Sequence, residues 1–405
     1  MIDLHLPVGK KEEAKITVPE RLDRPAIGME AEFALVVDDE QADPAKVFGS
    51  PAAFIRDSGP HRLGSSYHIP TGGAVYFDTG VIEVVTPVIE IEPDCAARAV
   101  RSLWEGIHYV RGELDDWEAR TGRSARLVGF STHYNVSLDG LLDESGSKSS
   151  SKLAMLLTHI LAVPVMMLAA NRKSTGVGVR PRGERIEVTV DFTPSPALMV
   201  ATATLVTAII REVATWPSYE LSMLERVGIP RIKGFHPVPH TSRQGWLARN
   251  TCFPENPFTA PVDRIQWPLV GGGWSSLRQI ARRAVRPFRR PIREIGDRPT
   301  LDLLYSVLRK RKPSLLDLID RPAEYEDVGR LCGWDDLYLD TQLRRSRYEE
   351  VLIRTTAGQR LAIHGEVFRT RGTQGWSRVV LESERTGRRQ VVGIDYLVTQ
   401  RPRWL

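Results

Sequence analysis

Cysteine is scarce in this 405-residue chain, and Cys95, Cys252 and Cys332 stand far apart in sequence. Three isolated cysteines offer neither a disulfide framework nor the paired spacing of a zinc site. Such sparse cysteine is typical of a reducing compartment, and we therefore expect a cytoplasmic protein. The first fifteen residues, MIDLHLPVGKKEEAK, lack a long apolar run, so we expect no signal peptide there.

Two further shortages narrow the class of protein. The phosphate-binding pattern G-x-x-x-x-G-K-[ST] does not occur, which removes the commonest nucleotide cradle. Long apolar runs are confined to residues 153–170 and 197–210. The first run contains His159 and Pro164, and the second is short for a membrane span. Both are therefore predicted to be buried core helices, and we expect no membrane contact.

The remaining pattern predicts an α+β fold. With 42% hydrophobic and 26% charged residues, the chain can form one large core and a smaller unit. Strand-like runs followed by segregated helices favour an antiparallel or mixed sheet with helices on one face. The runs are residues 27–37, 74–85 (with a break at residues 78–80), 127–138 and 185–190, and the helical stretches are residues 94–121, 153–170 and 197–210.

The C-terminal quarter has a different pattern. Residues 298–345 have a helical pattern, and residues 350–397 alternate between apolar and polar side chains as short antiparallel strands do. We therefore predict a catalytic domain over residues 1–295, with its motifs in residues 25–215. Residues 296–405 are predicted to form a small C-terminal domain, helical and then β-rich.

Two acids share one face of the first predicted strand. Glu30 and Glu32 are two positions apart, so their carboxylates point the same way, while Met29, Ala31 and Phe33 form the opposite, apolar face. Neighbouring carboxylates repel unless a cation lies between them, and Mg²⁺ prefers such oxygen ligands. The alternative is an acidic face that is only solvated.

The second strand adds Asp78 and Glu83. Glu83 lies among Ile82, Val84 and Val85, where burying a carboxylate without a partner costs several kcal/mol. A metal ion or an arginine would supply that partner, and an edge-strand salt bridge is the alternative.

The third strand places His133 and Asn135 on one face, also two positions apart. His133 could ligate a metal, and Asn135 could bind a ligand or a metal-bound water. A histidine that is only hydrogen-bonded is the alternative.

The fourth strand places Arg185 and Glu187 on one face, close after Arg180 and Arg182. Arginine suits phosphate because its planar group makes paired, charge-assisted hydrogen bonds. A solvated basic loop is the alternative here. Taken together, four strands offer acids, a histidine and arginines to a common side, which is what holding metal ions against a polyphosphate requires.

These pieces, in this order, resemble the glutamine synthetase and glutamate–cysteine ligase superfamily. They are G-x-E-x-E at residues 28–32, D-x-G-x-x-E-x-x-T-P at residues 78–87, H-x-N at residues 133–135 and R-I-E-V at residues 185–188. Residues 72–87, GGAVYFDTGVIEVVTP, are similar to the Pup ligase and depupylase branch. The resemblance covers about residues 25–215 and implies the curved catalytic sheet of the glutamine synthetase type.

The resemblance also implies roles for individual residues. It implies ATP and Mg²⁺, with Mn²⁺ as the alternative ion. Metal ligands would be Glu30, Glu32, Glu83, His133 and Glu187. Arg185 would bind the transferring phosphate with Arg180 or Arg182, Asn135 would contact the nucleotide, and Asp78 would be the base that deprotonates the attacking amine.

The implied activity is an ATP-dependent carboxylate–amine ligase that forms an amide or isopeptide bond through an acyl phosphate. Its partners would be a carboxylate substrate and an amine substrate, each a small molecule or a protein. The alternatives are an amide or isopeptide hydrolase of the depupylase kind and a non-catalytic nucleotide-binding partner protein. Thr189 and Asn135 stand where glutamine synthetase has an arginine and a histidine, which argues against ammonia and glutamate as substrates. The Pup ligase branch usually lacks a glutamate at the position of Glu187.

A basic segment begins at Arg278 and ends at Arg293, with seven arginines and no acid. It could bind an acidic partner, or it could be a solvated basic face. Nucleic acid is the least favoured ligand, because Phe288 is the only aromatic residue in the segment and Pro287 and Pro291 disfavour a long recognition helix.

Overall fold

The computed structural model describes residues 22–56, 66–138, 149–171, 173–193, 195–240, 245–317 and 343–405. In these ranges the chain is a mixed α+β protein with one large antiparallel sheet and two smaller ones. The strands of the large sheet are β1 (Ala26–Val37), β2 (Glu40–Ala42), β3 (Tyr67–His68), β4 (Ala74–Asp78), β5 (Val81–Val85), β6 (Ile89–Glu90), β7 (Ala125–Ser137), β8 (Val177–Pro181), β9 (Arg185–Asp191), β10 (Val238–Pro239) and β11 (Trp246–Ala248).

The large sheet runs in the order β10-β11-β8-β9-β7-β1-β5-β4-β3, with β2 and β6 also paired to β1. All of its recorded pairings are antiparallel. The four predicted strands are present, and the second is a hairpin of β4 and β5 that turns at Thr79-Gly80, where both residues have positive φ. The short strand β8 was not predicted, and it separates β9 from the sheet edge.

The described residues also form α-helices. They are α1 (Pro44–Phe48), α2 (Cys95–Thr121), α3 (Ser150–Ala169), α4 (Pro196–Ala214), α5 (Ser222–Arg226), α6 (Leu277–Val285), α7 (Arg289–Ile295), α8 (Arg298–Leu308), α9 (Arg347–Thr356) and α10 (Ile394–Gln400). A 3-10 turn, Arg286–Phe288, joins α6 to α7. The basic segment is therefore mostly helical. Its apolar side chains are buried, and most of its arginines are exposed to solvent.

The main core lies between the apolar face of the sheet and helices α2, α3 and α4. Met29, Ala31 and Phe33 are all buried there, as the strand alternation predicted. Helices α3 and α4 are long and apolar enough to cross a membrane, yet 83% and 78% of their most apolar windows are buried in the protein. Their apolar composition is thus used in packing against the sheet and each other.

A second, smaller core is formed by residues of the C-terminal part. A five-stranded antiparallel sheet, with β14 (Arg360–Ile363), β15 (Glu366–Gln374), β16 (Arg378–Ser383), β17 (Arg389–Gly393) and β18 (Arg403–Trp404), packs against α9 and α10. A two-stranded hairpin, β12 (Trp267–Pro268) and β13 (Trp274–Ser275), precedes α6.

Two details of the C-terminal prediction need correction. Residues 350–356 are the end of α9 and not a strand, because Ser346 and Glu349 form a capping box that starts a helix. Ile394 likewise starts α10. Of the predicted helical region 298–345, Arg298–Leu308 is an α-helix and Leu315–Asp317 a 3-10 turn, whereas residues 309–314 and 343–345 are not helical. Residues 318–342 lie outside the described part of the chain. Helix α8 packs on α4, and the domain boundary at residue 296 stays a prediction.

Buried ion pairs join the C-terminal part to the main core. Glu349, on α9, is fully buried and accepts hydrogen bonds from Arg101 on α2 at 3.2 Å and from Arg345 at 2.7 Å. Arg345 also makes two 2.9 Å hydrogen bonds to Glu105. On the sheet side, His68 and Thr373 are hydrogen-bonded at 3.0 Å. The C-terminal sheet is therefore held against one end of the large sheet.

Candidate active site

The open face of the large sheet carries the predicted acids, and strand register brings them together. Glu30 on β1 lies opposite His133 on β7, and Glu32 lies opposite Glu83 on β5. On the far side of β7, Asn135 lies opposite Glu187 on β9. Because these positions alternate with the buried core residues, every one of these side chains faces away from the core.

His133 is the centre of the cluster. Its Nδ1 lies 3.0 Å from Oε2 of Glu30 and 3.9 Å from Oε1 of Glu187, while its Nε2 lies 3.6 Å from Oε1 of Glu32. Burial favours the neutral ring, but the hydrogen bond to Glu30 and the surrounding carboxylates outweigh it, so the pKa of His133 is raised.

Glu30 and Glu83 form a buried carboxyl pair. Burial and the negative charges of Glu30 and Glu32 raise the pKa of Glu83 to about 10. Burial also acts to raise the pKa of Glu30, but the hydrogen bond and charge of His133 hold it well below its usual range. One carboxyl of the pair is therefore charged and the other protonated, which is the arrangement expected when two acids share a site without a cation. Glu83 lies on an interior strand, so the edge-strand salt bridge is excluded.

The arginines lie at one side of this cluster. Arg180 and Arg182 both contact the fully buried Glu187, with Nε of Arg182 3.1 Å from its Oε2. Arg185 is exposed and donates a hydrogen bond to Oδ1 of Asn135 at 2.9 Å. The predicted grouping of these arginines with Glu187 and Asn135 is thus present in the structure.

Asp78 stands apart from the buried cluster. It is the last residue of β4, it is exposed, and it accepts a 2.8 Å hydrogen bond from the Thr79 hydroxyl. Asp78 nevertheless lines the same cavity as Glu30, Glu32 and Glu83.

Three residues of the site were not predicted from the sequence. Tyr76 hydrogen-bonds Glu83, and burial next to these acids raises the pKa of its phenol. The Ser131 hydroxyl donates to Glu32 and lies 3.1 Å from Nε2 of His133. His240 lines the cavities beside Arg180. The signal for Tyr76 and Ser131 was available, since each lies two positions from a predicted site residue on the same strand.

Three cavities that share lining residues lie along the open face of the described sheet. The middle one, about 1240 Å³, is lined by the acids, His133, Asp78 and Arg180. A second, about 750 Å³, begins at Glu30, Asn135 and Arg185 and ends at Trp376 of the C-terminal sheet. A third, about 450 Å³, extends the other way from Glu32 and His133 towards Lys173 and Arg249. The middle cavity therefore shares Glu30 with the second cavity and Glu32 and His133 with the third.

The donor set fits divalent cations. Glu30, His133 and Glu187 form one group and Glu32, Glu83 and His133 another, with candidate ligand atoms within 4.8 Å of one another in each. A bound cation would remove the repulsion that keeps Glu83 protonated. Carboxylate oxygens with one imidazole suit Mg²⁺ or Mn²⁺. Because two guanidinium groups already balance its charge, Glu187 fits an ion less well than Glu30, Glu32 and Glu83.

No protein-family model matches this sequence, and neither does any curated protein. Among solved structures, the chain is similar to the crystal structure of the complex between the prokaryotic ubiquitin-like protein Pup and its ligase PafA, with a TM-score of 0.53, 11% identity, and coverage of 93% of this chain and 91% of that chain. A structure of PafA in complex with ADP aligns with a TM-score of 0.40 and 10% identity over 88% and 92% of the two chains. The first similarity shows that the fold is shared over almost the whole chain.

Proposed function

We propose that this protein is an ATP-dependent carboxylate–amine ligase of the glutamine synthetase and glutamate–cysteine ligase superfamily. The observation that carries the proposal is the cluster of Glu30, Glu32, Glu83 and His133 on the open sheet face, flanked by Arg182 and Arg185. The fold shared with a Pup ligase supports the same reading. On this proposal the sheet is the curved catalytic sheet of that superfamily.

The nucleotide is proposed to bind across the first two cavities. The apolar end of the 750 Å³ cavity, with Leu22, Ile27, Val88 and Trp376, suits a base and sugar. Arg182 and Arg185 at its other end suit phosphates, because guanidinium groups bind phosphate oxygens in pairs. Divalent cations held by the carboxylates and His133 would neutralise the charge of the phosphates as the terminal one transfers.

The reaction is proposed to run in two steps. A substrate carboxylate attacks the terminal phosphorus of ATP, the bond to the ADP oxygen breaks, and an acyl phosphate forms while the arginines balance the charge on the transferring group. An amine then attacks the acyl carbon and phosphate leaves. An ammonium ion is not a nucleophile, so Asp78 takes a proton from the amine at the cavity wall.

Two remaining proposals concern the surroundings of the protein. The exposed arginines of α6 and α7 form a basic surface suited to an acidic partner, although Arg290 is paired with Glu294. Arg278 is not part of this surface, because it is buried and paired with Asp263 and Asp317. The ligase named in the shared-fold structure acts with a protein, and a protein substrate is proposed here as well. A cytoplasmic location is retained as a proposal.

The function is tested by incubating the purified chain with Mg²⁺, ATP and a panel of carboxylates and amines, and by measuring ADP and phosphate. We expect ADP release that needs both a carboxylate and an amine and that is lost in Glu30→Gln and Asp78→Asn. Glu255→Gln, an exposed carboxylate outside the cavities, is the matched control. Release of an amine from an amide without net ATP use would identify a hydrolase instead. Unaltered nucleotide binding in Glu30→Gln would contradict the metal site.

A further inference from the structure

A cavity of about 280 Å³ lies among the helices that cover the apolar face of the large sheet. Its walls come from α2, from the first turn of α4 and from α8, which packs on α4. The apolar part of the wall consists of Ala97, Pro196, Ala197, Val200, Pro299 and Leu303. None of its described lining residues also lines a cavity of the open face. This helix-side cavity is therefore separate from the candidate active site.

Polar groups enter the helix-side cavity along one face of α8. Asp302 and Ser306 are four positions apart in this helix, so their side chains share a face, with about 5–6 Å between their Cβ atoms. Lys312 follows the helix, and its backbone N–H donates a 3.2 Å hydrogen bond to the carbonyl oxygen of Ser306. A carboxylate, a hydroxyl and an ammonium group are thus all available to a ligand that lies on the apolar wall.

The two charged groups of opposite sign in this cavity do not neutralise each other. Asp302 and Lys312 are both exposed, and among the residues that the structure describes neither side chain has a hydrogen-bond or ion-pair partner. Asp297, the other acid in the wall, is already engaged, because it caps α8 and accepts a 2.7 Å hydrogen bond from the N–H of Thr300. Separated opposite charges beside an apolar wall are complementary to a ligand that carries both charges itself.

We propose that the helix-side cavity binds a free apolar α-amino acid. Asp302 binds its ammonium group, Lys312 and the Ser306 hydroxyl bind its carboxylate, and its side chain packs on the apolar wall. The volume corresponds to about nine water molecules in the liquid, which suits a small aliphatic side chain better than an aromatic one. The proposal does not depend on the ligase activity, because it uses no residue of the open face.

Ligands with a single charge fit this cavity less well. A fatty acid would bring its carboxylate beside that of Asp302 and leave the latter unpaired. An alkylamine would in the same way place a second cation beside Lys312. An α-amino acid satisfies both groups, since its own two charges are separated by only one carbon atom.

The test measures the binding of leucine, valine and methionine to the full chain by isothermal titration calorimetry at two temperatures. We expect at least one of them to bind. Isocaproate, which is leucine without its amine, and isoamylamine, which is leucine without its carboxylate, should bind at least about tenfold more weakly than the tightest amino acid, because each lacks one charge-assisted contact.

The variants address the two charges and the space between the helices. Asp302→Asn and Lys312→Gln should each raise the Kd of the bound amino acid about tenfold, and both changes are at exposed positions that leave the core intact. Ala197→Leu should also weaken binding, because the larger side chain occupies the cavity. Lys46→Gln, an exposed lysine outside the four cavities, is the matched control and should bind as wild type.

Three results would overturn the proposal. They are no binding of any of the three amino acids, binding of isocaproate or isoamylamine as tight as that of the amino acid, and an unchanged Kd in both Asp302→Asn and Lys312→Gln. Glu30→Gln is measured as well, because amino acids could bind at the open face as substrates. A Kd that changes in Glu30→Gln but in neither charge variant would place the ligand at the open face and contradict the proposal.

Discussion

Replacing Glu83 with glutamine should make the metal-free protein less sensitive to alkaline pH. The carboxyl of Glu83 is buried beside Glu30 and Glu32, and its pKa is raised to about 10 in the folded state. A group whose folded pKa is raised stabilises the fold below its unfolded pKa, here about 4.5, and that stability is lost as the pH rises towards the folded pKa. A glutamine side chain has the same shape and can donate a hydrogen bond, but it does not titrate.

The size of the effect follows from linkage. One proton retained by the folded state changes the free energy of unfolding by about 1.4 kcal/mol per pH unit. Between pH 5 and pH 8 the Glu83 contribution to the loss is therefore at most about 4 kcal/mol, and water entering the cavity reduces it. His133, whose pKa is also raised, loses stability in the same direction and remains in the variant. The lowered pKa of Glu30 changes the free energy of unfolding only at acidic pH, below this range.

The assay is urea denaturation with a chelator at pH 5, 6.5 and 8, repeated with Mg²⁺. We expect wild type to lose stability towards pH 8 and to regain it with Mg²⁺, whereas Glu83→Gln loses less and responds less to the metal. Glu255→Gln, an exposed carboxylate, should behave as wild type. A Glu83→Gln variant with the full pH dependence and the full response to Mg²⁺ would refute the reasoning.

Three further predictions concern single residues. Asp78→Asn should lower amide formation with an alkylamine at least 100-fold but retain hydroxamate formation with hydroxylamine, which is unprotonated at neutral pH; equal losses in the two assays would remove Asp78 as the base. Burial lowers the pKa of His159 to about 4, so its contribution to stability is lost as the pH falls from about 6.5 to 4, by up to about 3 kcal/mol. His159→Phe should flatten that slope in thermal unfolding, and an unchanged slope would contradict the assignment. Arg101→Met should lower the free energy of unfolding, measured in urea, by about 3 kcal/mol, because it removes a partner of the buried Glu349. Adding Glu349→Leu should recover much of this loss. A double variant no more stable than Arg101→Met would show that the unpaired carboxylate is not the cause.

The parts of the fold that the sequence predicted are those with strong local patterns. Met29, Ala31 and Phe33 alternate with acids, and period-two alternation in an interior strand leaves one choice of face. The long apolar helices were also predicted from a local pattern, because residues 153–170 and 197–210 are long apolar runs, which favour buried helices. Strand β8 was missed because its five residues, VGVRP, are too few for their alternation to stand out, and Gly178 and Pro181 disfavour a strand.

The site residues that the sequence predicted are those that alternation within a single strand can identify. Glu30, Glu32, Glu83 and His133 could be placed on common faces, and pairing then brought those faces together. His240 could not be found this way, because it follows the two-residue strand β10, which is too short to show alternation. The prediction of a strand from residue 350 was wrong for a different reason. Ser346 and Glu349 carry a helix-start signal that the alternation beyond residue 350 obscured.

The most direct measurement of the central claim follows oxygen from the substrate carboxylate. The carboxylate that stimulates ADP release is supplied with ¹⁸O in both oxygens, together with ATP, Mg²⁺ and an amine, and the released phosphate is analysed by mass spectrometry. An acyl-phosphate ligase transfers one ¹⁸O atom to each phosphate, and this is the predicted result. Phosphate that carries only ¹⁶O, with ADP formed, would mean that water and not the carboxylate attacks ATP, and would contradict the account.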